Sequence, residues 1–171
     1  AKEAQAHGAE CKGWNCDVSL EEPVRDFAAK VMNSFSRIDV LVNNAGSIFV
    51  KRRLSEDAWE MTFAVNHLAP FLLTHLLLPA MKTSGTARVV TTASNAYRFH
   101  KIPFDDLHLT RNYSPMRAYG ISKLANVLFT LEMARRHPAI ESHALHPGVV
   151  GTKLLREGFG GMRGSESLGE G

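Results

Sequence analysis

The stretch IDVLVNNAG, residues 38–46, joins a compact apolar run to a polar turn that ends in glycine. The run from Ile38 to Val42 contains β-branched residues between polar turns, so it suits a buried parallel strand better than an amphipathic helix. Similar runs occur at Arg88 to Thr92 and at Ser142 to Leu145, and a further short candidate occupies Gly13 to Val18. The sequence therefore predicts several short strands.

Segments with a helical spacing of apolar residues separate these strands. The first begins at Ser19, a candidate N-cap with Glu22 three residues further on, and extends to about residue 35. The second extends from about Glu56 to Met81 with Ser55 as its candidate cap, and the third contains Tyr119. Strands that alternate with helices predict a doubly wound, Rossmann-like parallel α/β sheet.

Polar residues follow the predicted strands. In doubly wound sheets, ligands bind outside the carboxyl ends of the strands. Asp17, the NNAG turn at 43–46, Ser94 and the Pro147-Gly148 turn all fall at these ends. We therefore expect the functional groups to gather along one edge of the sheet.

Size, charge and composition narrow the class of protein. With 171 residues, of which 44% are apolar, the chain is long enough for one domain with a buried core. The formal charge of +3 is small, and the basic cluster at 51–53 lacks the interleaved aromatic residues of a nucleic-acid platform. We predict one globular unit that does not bind nucleic acid.

The cysteines and the apolar runs favour a cytoplasmic protein. Cys11 and Cys16 are five positions apart and do not form a CxxC redox or zinc pair. The longest apolar stretch, Leu68 to Met81, is shorter than the roughly 20 residues that cross a bilayer, and the first ten residues lack the apolar core of a signal peptide. We predict no membrane span and, because no HxxxH or HExxH spacing occurs, no metal site.

The pair Tyr119 and Lys123 in YGISK opens the third helical segment. One helical turn separates the two residues, which places both side chains on the same face. A phenol with a pKa near ~10 is a weak acid, but an adjacent ammonium favours the phenolate and lowers that pKa. The pair is a candidate proton-transfer device, although the same spacing is common on exposed helices that have no function.

Five motifs, in this order, resemble those of the short-chain dehydrogenase/reductase family from about Cys16 to Thr152. They are NNAG at 43–46, Asn66 in a helix, Ser94 at a strand end, YxxxK at 119–123 and Pro147-Gly148. The insertion YRFHKIPFDDLHLTRNY at 97–113 is similar to that of the branch containing retinol dehydrogenases and carbonyl reductases. Each motif alone is weak, whereas their shared order is specific.

The resemblance implies an oxidoreductase that transfers hydride between NAD or NADP and a carbonyl or alcohol. Tyr119 would exchange the proton of the substrate oxygen, and Lys123 would stabilise the phenolate and bind the nicotinamide ribose. Ser94 would donate to the developing alkoxide, and Asn66 would hold a water that links Lys123 to solvent. Further implied cofactor contacts are Asp17 and Val18 at the adenine, Asn43, Ala45 and Gly46 at the ribose, and Pro147, Gly148 and Thr152 at the nicotinamide.

Simpler structural explanations remain open for several of these residues. Asn66 can be a satisfied core amide, and Asp17 can simply end a strand. The phenols Tyr97 and Tyr113 lack a lysine four residues later, so we predict that they pack in the inserted loop. Ser94 competes as a donor with three nearby hydroxyls, those of Ser84, Thr91 and Thr92.

The glycine-rich turn that receives the pyrophosphate in this family does not occur before Asp17, where neither TGxxxGxG nor GxGxxG is present. In the strand order 3-2-1-4-5-6, the strands missing here would lie between Gly13–Val18 and Ile38–Val42. The predicted sheet is therefore incomplete and exposes apolar edges. We predict a partial NAD(P)-binding domain over residues 1–157 and a flexible glycine-rich tail over 158–171, both belonging to a longer enzyme.

Two classes of function fit this pattern. The first is an active NAD(P)-dependent oxidoreductase, and the second is a catalytically inactive fragment or a non-enzymatic interaction module. Epimerases, dehydratases and enoyl reductases of the same fold also stay open. Phe99, Ile102 and Phe104 indicate a small lipophilic carbonyl or alcohol substrate, and the apolar helices around Asn66 and Tyr119 resemble those that the family uses to form homodimers or homotetramers.

Overall fold

A computed structural model describes residue 8 and residues 10–148. Its sheet has three parallel strands in the order β1-β2-β3, with β1 at Val40–Asn43, β2 at Arg88–Thr92 and β3 at Glu141–Leu145. In the register of the sheet, Val42 lies opposite Val90, which lies opposite His143. The predicted parallel α/β sheet is confirmed, and these three strands match their predicted positions within two residues.

Helices alternate with these strands. Helix α1 is Glu21–Ser34. The next begins as α2 at Met61–Phe63, continues as a π-helical segment at Ala64–Leu68, called the π segment below, and ends as α3 at Ala69–Lys82. Helix α4, Pro115–Arg136, connects β2 to β3. This alternation is the one that the hydrophobic pattern predicts.

The predicted strand at Gly13–Val18 is wrong, because the described residues around it form no strand. A strand needs a neighbour for its backbone N–H and C=O groups, and none of the residues that the structure describes pairs with this segment. Instead, Trp14 packs edge-on against Phe27 and Phe35, with ring centroids 6.1 and 6.4 Å apart. Aromatic packing therefore holds the segment against α1.

Helix α1 begins two residues later than predicted. Ser19 does not cap it, because its N–H and hydroxyl donate to Asp17 Oδ1 at 2.9 and 2.7 Å. The N-cap residue is Leu20, whose side chain makes no capping bond among the described residues. The carboxylate of Asp57 accepts from Glu21 N at 2.7 Å, so a distant acidic residue satisfies the first turn.

Helix α2 begins about five residues after the predicted start, because Glu60 caps it. The buried carboxylate of Glu60 accepts from Thr62 N and Phe63 N at 3.0 and 2.9 Å, which satisfies two N–H groups of the first turn. Ser55 Oγ accepts from Trp59 N at 3.3 Å in the preceding turn. The predicted cap at Ser55 is therefore wrong.

Two apolar clusters hold α4 in place. The first packs α4 against β2 and α3 and consists of Leu78, Met81, Ala87, Val89, Phe129, Met133 and Ile140. The second packs the early turns of α4 against α2 and the inserted loop and consists of Phe63, Leu109, Ala118, Ile121 and Ala125. Burial of these side chains fixes the start of α4 beside the carboxyl end of β2.

Strand β1 forms one of the two edges of the described sheet. Val40 and Val42 are 56% and 58% exposed, and among the described residues β1 pairs only with β2. A cavity of about 320 Å³ lies beside this strand and is lined in part by Trp14, Val18 and Phe27. One predicted apolar edge is thus present, and such edges favour association.

The helix that ends in α3 contains a longer apolar span than the stretch Leu68 to Met81 on which the sequence prediction about membranes rested. Residues Met61–Lys82 form 22 helical residues that are, by length and composition, apolar enough to cross a bilayer. Half of the most apolar window is buried inside the fold, and Leu77 and Met81 are 2% and 0% exposed. A core helix has the same properties. The absence of a membrane span stays a prediction.

Candidate active site

The first turns of α4 carry the two residues that the sequence singled out. Ser114 caps the helix by accepting from Arg117 N at 3.2 Å, and Pro115 suits the first helical position. Tyr119 and Lys123, one turn apart, are only 7% and 3% exposed. The alternative of a solvent-exposed pair is therefore wrong.

Ser94, just after β2, lies within reach of Tyr119. Its Oγ accepts from Ala96 N at 3.3 Å and caps the short 3-10 segment Asn95–Phe99. Burial raises the pKa of Tyr119, and a side-chain hydrogen bond with Ser94 partly opposes that rise. The competing hydroxyls bond elsewhere, Thr91 with Asn43, Thr92 with Asn44 and Ser84 with Asp39. The structure thus brings together the two side chains that the motif predicts.

The amine of Lys123 lies between the ring of Tyr119 and the end of β2. Its Nζ donates to Thr92 O at 2.8 Å and lies 5.5 Å from the ring centroid of Tyr119. Burial lowers the pKa of Lys123 from 10.5 to about 8. The predicted lowering of the Tyr119 pKa by Lys123 is wrong, because burial raises that pKa and the opposing influence is Ser94. Removal from water favours the neutral forms of both groups.

Asn66 lies inside the π segment and is 1% exposed. Its Oδ1 accepts from Ser47 N at 2.7 Å, and its Nδ2 donates to Ser47 O at 2.9 Å and to Ser122 Oγ at 3.0 Å. The amide is therefore well satisfied, as the core-amide alternative expected, and it ties the loop after NNAG to α4. The water-holding role stays a prediction, although π-bulges are frequent at functional sites.

Gly46 brings the NNAG turn against this network. A Cβ at this position would lie 3.3 Å from Asn66 Oδ1 and 3.6 Å from Lys123 Nζ. A side chain would therefore press on Asn66 and fill the space beside the amine of Lys123. The missing side chain leaves a cradle in which a flat group can approach the backbone, which fits the ribose side of a nicotinamide nucleotide.

The residues predicted to contact the adenine side are only partly brought together. Val18, Asn43 and Ala45 line the cavity beside β1, and the Asn43 amide donates to Thr74 Oγ1 at 3.0 Å. Asp17 is exposed, and hydrogen bonds from Ser19 lower the pKa of its carboxyl. Its observed contacts are those of a turn, so its cofactor role stays a prediction.

The Pro147-Gly148 turn follows β3, whose last residue, Leu145, lies opposite Thr92. Gly148 has a φ of 80°, a left-handed conformation that favours glycine. This turn therefore lies at the carboxyl edge of the sheet, where it was expected. Thr152 lies outside the described residues, as does the predicted tail at 158–171.

The inserted loop contains two features that bear on the site. The hydroxyl of Tyr113 donates to Phe49 O at 2.5 Å, so this phenol packs in the loop as predicted. The ring of His100 lies against Gly120, where any Cβ would collide with the imidazole. The sequence analysis missed His100, and the signal was a glycine inside a helix directly after Tyr119, a costly position unless something packs there.

Two further buried polar residues of α4 were also missed. Ser122 Oγ donates to Tyr119 O at 2.7 Å, and Asn126 is 2% exposed. The signal was their position near Tyr119 and Lys123 in a helix whose other inward residues are largely apolar. Among the residues that the structure describes, no three His, Cys, Asp or Glu side chains group as metal ligands.

Comparisons with known proteins give the same family as the motifs. A family profile described as short chain dehydrogenase matches residues 1–160. Retinol dehydrogenase 13 from Homo sapiens is 45% identical over 143 residues, which is 82% of this chain and 43% of that protein. Retinol dehydrogenase 14 from Mus musculus is 42% identical over 142 residues, which is 82% of this chain and 42% of its own length. The chain thus spans less than half the length of these relatives.

The fold is likewise similar to that of solved enzymes. An alcohol dehydrogenase from the archaeon Thermococcus sibiricus, complexed with 5-hydroxy-NADP, superposes with a TM-score of 0.69 at 27% identity. That alignment covers 88% of this chain and 60% of the archaeal one. With the profile match over most of its length, the chain belongs to the short chain dehydrogenase family.

Proposed function

We propose that the protein is an NAD(P)-dependent oxidoreductase that interconverts a carbonyl and a primary or secondary alcohol. The observation that carries this proposal is the group formed at the carboxyl end of β2 by the half-buried Ser94 and the buried Tyr119 and Lys123. A phenol, a hydroxyl and an amine in a dry site can donate a proton and stabilise an alkoxide. The relatives are retinol dehydrogenases, and their names support the same chemistry.

Tyr119 is suited to the reductive direction. Because burial raises its pKa, the phenol keeps its proton at neutral pH and can give it to the oxygen of a bound carbonyl compound. Ser94, which already bonds with Tyr119, is positioned to donate to the same oxygen. In the opposite direction, Tyr119 must first lose a proton, and the amine of Lys123 beside its ring is in the neutral, proton-accepting form above a pKa of about 8.

The residues present fit a nicotinamide nucleotide. Gly46 leaves a backbone cradle beside Lys123, and Val18 and Ala45 line the adjoining cavity. When bound, the nucleotide supplies or accepts the hydride. The protein's part is to hold the nucleotide, exclude water and move the proton at the phenol oxygen of Tyr119.

We further propose a lipophilic aldehyde or alcohol of the retinoid type as the substrate. Phe99 and Phe104, which flank His100 in the inserted loop, are 82% and 83% exposed. Exposed aromatic side chains on this loop, whose His100 packs against Gly120 next to Tyr119, suit a long apolar molecule with one oxygen at its end. The relatives' names support this class of substrate.

The test uses the complete gene product with all-trans-retinal and with NADH or NADPH. We expect nucleotide oxidation that depends on retinal, and formation of retinol, with a preference for one of the two nucleotides. The absence of retinol with both nucleotides, together with failure to reduce short aldehydes and ketones, would contradict the proposal.

A second candidate function is a catalytically inactive interaction module, which the exposed edge of β1 favours. Val40 and Val42 present apolar side chains there, and an edge strand can pair with another chain. This function predicts no measurable binding of NADH or NADPH to the complete protein. Micromolar affinity for either nucleotide would exclude it.

Assembly and location stay predictions within this proposal. Leu128 and Leu131 on α4 are 46% and 63% exposed, which supports association of this face into a homodimer or homotetramer. Light scattering on the complete protein would test the assembly. A cytoplasmic location rests on the sequence alone and needs microscopy of the tagged protein.

A further inference from the structure

A chain of hydrogen bonds leads from His67 in the π segment through Asn126 to the backbone acceptor of the buried lysine. Asn126 Nδ2 donates to Asn66 O at 3.0 Å and also contacts Thr92 O at 3.4 Å. Thr92 O is also the acceptor of Lys123 Nζ at 2.8 Å. One side-chain amide therefore contacts both elements that carry the candidate site, the π segment and the end of β2.

Both carbonyl groups are available because regular structure is interrupted there. The last residue pair between β1 and β2 joins Asn43 to Thr91, so the carbonyl of Thr92 lies beyond that ladder. In an α-helix the carbonyl of Asn66 would accept from residue 70, but Pro70 has no N–H. Buried carbonyl groups need donors. Asn126 donates to Asn66 O, and Thr92 O accepts from Lys123 and, at a longer distance, from Asn126.

Asn126 can make these bonds in only one of its two amide orientations. After a half-turn about its last bond, Oδ1 would face the two carbonyl oxygens, and acceptors repel one another. In the observed orientation, Oδ1 lies 3.1 Å from His67 Nδ1. Burial lowers the pKa of His67, so the ring is neutral, and the acceptor Oδ1 selects the tautomer with the proton on Nδ1.

His67 reaches Asn126 from an aromatic groove of about 380 Å³ between α3 and α4. The groove is also lined by Phe71, Phe129 and a second histidine, His75. His75 Nδ1 bonds with Phe71 O of its own helix at 2.8 Å. Both histidines line the groove, but His67 is half-buried and His75 is exposed, and only the bond of His67 leads to Asn126.

We propose that Asn126 is a positioning residue of the candidate active site and that His67 holds its amide in the working orientation. The proposal rests on the proposed function, because the groups positioned are Lys123 and Asn66. When the donor at His67 is lost, Asn126 can rotate, and its bridge between Thr92 and Asn66 breaks. Lys123 then loses the fixed acceptor that orients its amine.

Three substitutions in the complete gene product separate this role from simple packing. His67→Phe keeps a ring of similar size but has no donor. His67→Asn loses most of the ring but places an N–H at the position of Nδ1. His75→Phe makes the same ring exchange at a second histidine that lines the same groove but does not contact Asn126, so it serves as the control for the exchange itself.

We expect His67→Phe to lower kcat for all-trans-retinal roughly tenfold to a hundredfold with little change in KM, because small misplacements of a reacting group cost this much. His67→Asn and His75→Phe should keep kcat close to that of the wild type. A packing role predicts the opposite order, because phenylalanine fills the space and asparagine leaves a cavity. A larger loss in His67→Asn than in His67→Phe would overturn the proposal.

A second measurement does not depend on activity or on any variant. The side-chain amide protons of Asn126, followed by NMR, should exchange with solvent at least about tenfold more slowly than those of the exposed Asn33. Equal exchange rates in the wild type would overturn the proposal. Slow exchange in a protein that fails to reduce retinal would support the bridge and count against the proposed function alone.

Discussion

The sheet has two margins of opposite character: polar groups that are hydrogen-bonded and largely buried at the carboxyl end of β2, and apolar side chains that are exposed at the edge formed by β1. At the first, Ser94, Tyr119 and Lys123 are bonded to one another or to the backbone in a largely dry setting. At the second, Val40 and Val42 expose more than half of their surface. The candidate active site and the candidate association surface therefore lie at different margins of one sheet. A substitution at one margin should leave the other unchanged.

Removing the phenol should have the largest effect at the dry margin. Tyr119→Phe in the complete gene product should lower kcat/KM for retinal roughly 10²- to 10⁴-fold, because it removes the proton donor. Affinity for the nucleotide, followed by fluorescence, should change little. Tyr97→Phe, which removes a phenol from the inserted loop, is the control. Full activity of Tyr119→Phe would contradict the assigned role.

Replacing the buried lysine should change how the free energy of unfolding depends on pH. Burial lowers the pKa of Lys123 from 10.5 to about 8. Between about pH 8 and about pH 10.5, the amine is therefore mainly protonated in the unfolded chain and mainly neutral in the folded protein. Wild-type stability should therefore rise across this range, by about 3 kcal/mol at most. Lys123→Met, which keeps the apolar stem, should lack this rise.

Urea denaturation near pH 8 and near pH 10.5 measures this difference. The exposed Lys101→Met is the control, and it should follow the wild type. Parallel pH dependence in the wild type and Lys123→Met would show that the amine of Lys123 is not held in a dry site, and the comparison between the two margins would then fail.

Adding one methyl group at Gly120 should test the contact with His100. In an open helix, Gly→Ala stabilises by about 1 kcal/mol, but here the methyl group collides with the imidazole. We expect a loss of about 1–3 kcal/mol, measured by thermal unfolding. Gly13→Ala has nothing within 4 Å and serves as the control. Gly120→Ala should recover stability when combined with His100→Ala; if it does not, the collision is not the cause.

The same valine-to-threonine substitution in β2 and in β1 should have the smallest effects and compares the two margins directly. Val89 in β2 is 0% exposed, whereas Val42 in β1 is 58% exposed. Val89→Thr should lower the free energy of unfolding by about 1–3 kcal/mol, because it buries a hydroxyl, and Val42→Thr should change it by less than about 0.5 kcal/mol. Equal losses in urea denaturation would show that the β1 edge is covered in solution.

Most of the sheet and the main candidate residues could be predicted because their signals are local. The run at 88–92 and the i, i+4 pair on α4 are read directly from side-chain spacing. The strand at 13–18 could not be predicted correctly, because pairing decides strand formation and no partner lies beside it among the described residues. The capping role of Glu60 and the π segment also depend on contacts that spacing does not reveal.

The sequence predicted the wrong direction for the pKa shift of Tyr119, for a related reason. The sequence places an ammonium near the phenol, which favours the phenolate, but it does not show how far either group is removed from water. In the fold, burial raises the pKa of Tyr119 against the opposing hydrogen bond with Ser94, and burial also lowers the pKa of Lys123. Spacing identifies the pair, whereas only packing determines its protonation.

The bond from Tyr113 to Phe49 has a mechanical consequence. It tethers the insertion to the loop that follows the NNAG turn, and Arg52 Nε adds a second tether to His108 O at 2.8 Å. Because these two hydrogen bonds join the loops, a displacement of either loop also displaces the other. Changes in insertion length among related chains would alter the nucleotide-facing turn as well as the aromatic surface that the insertion displays.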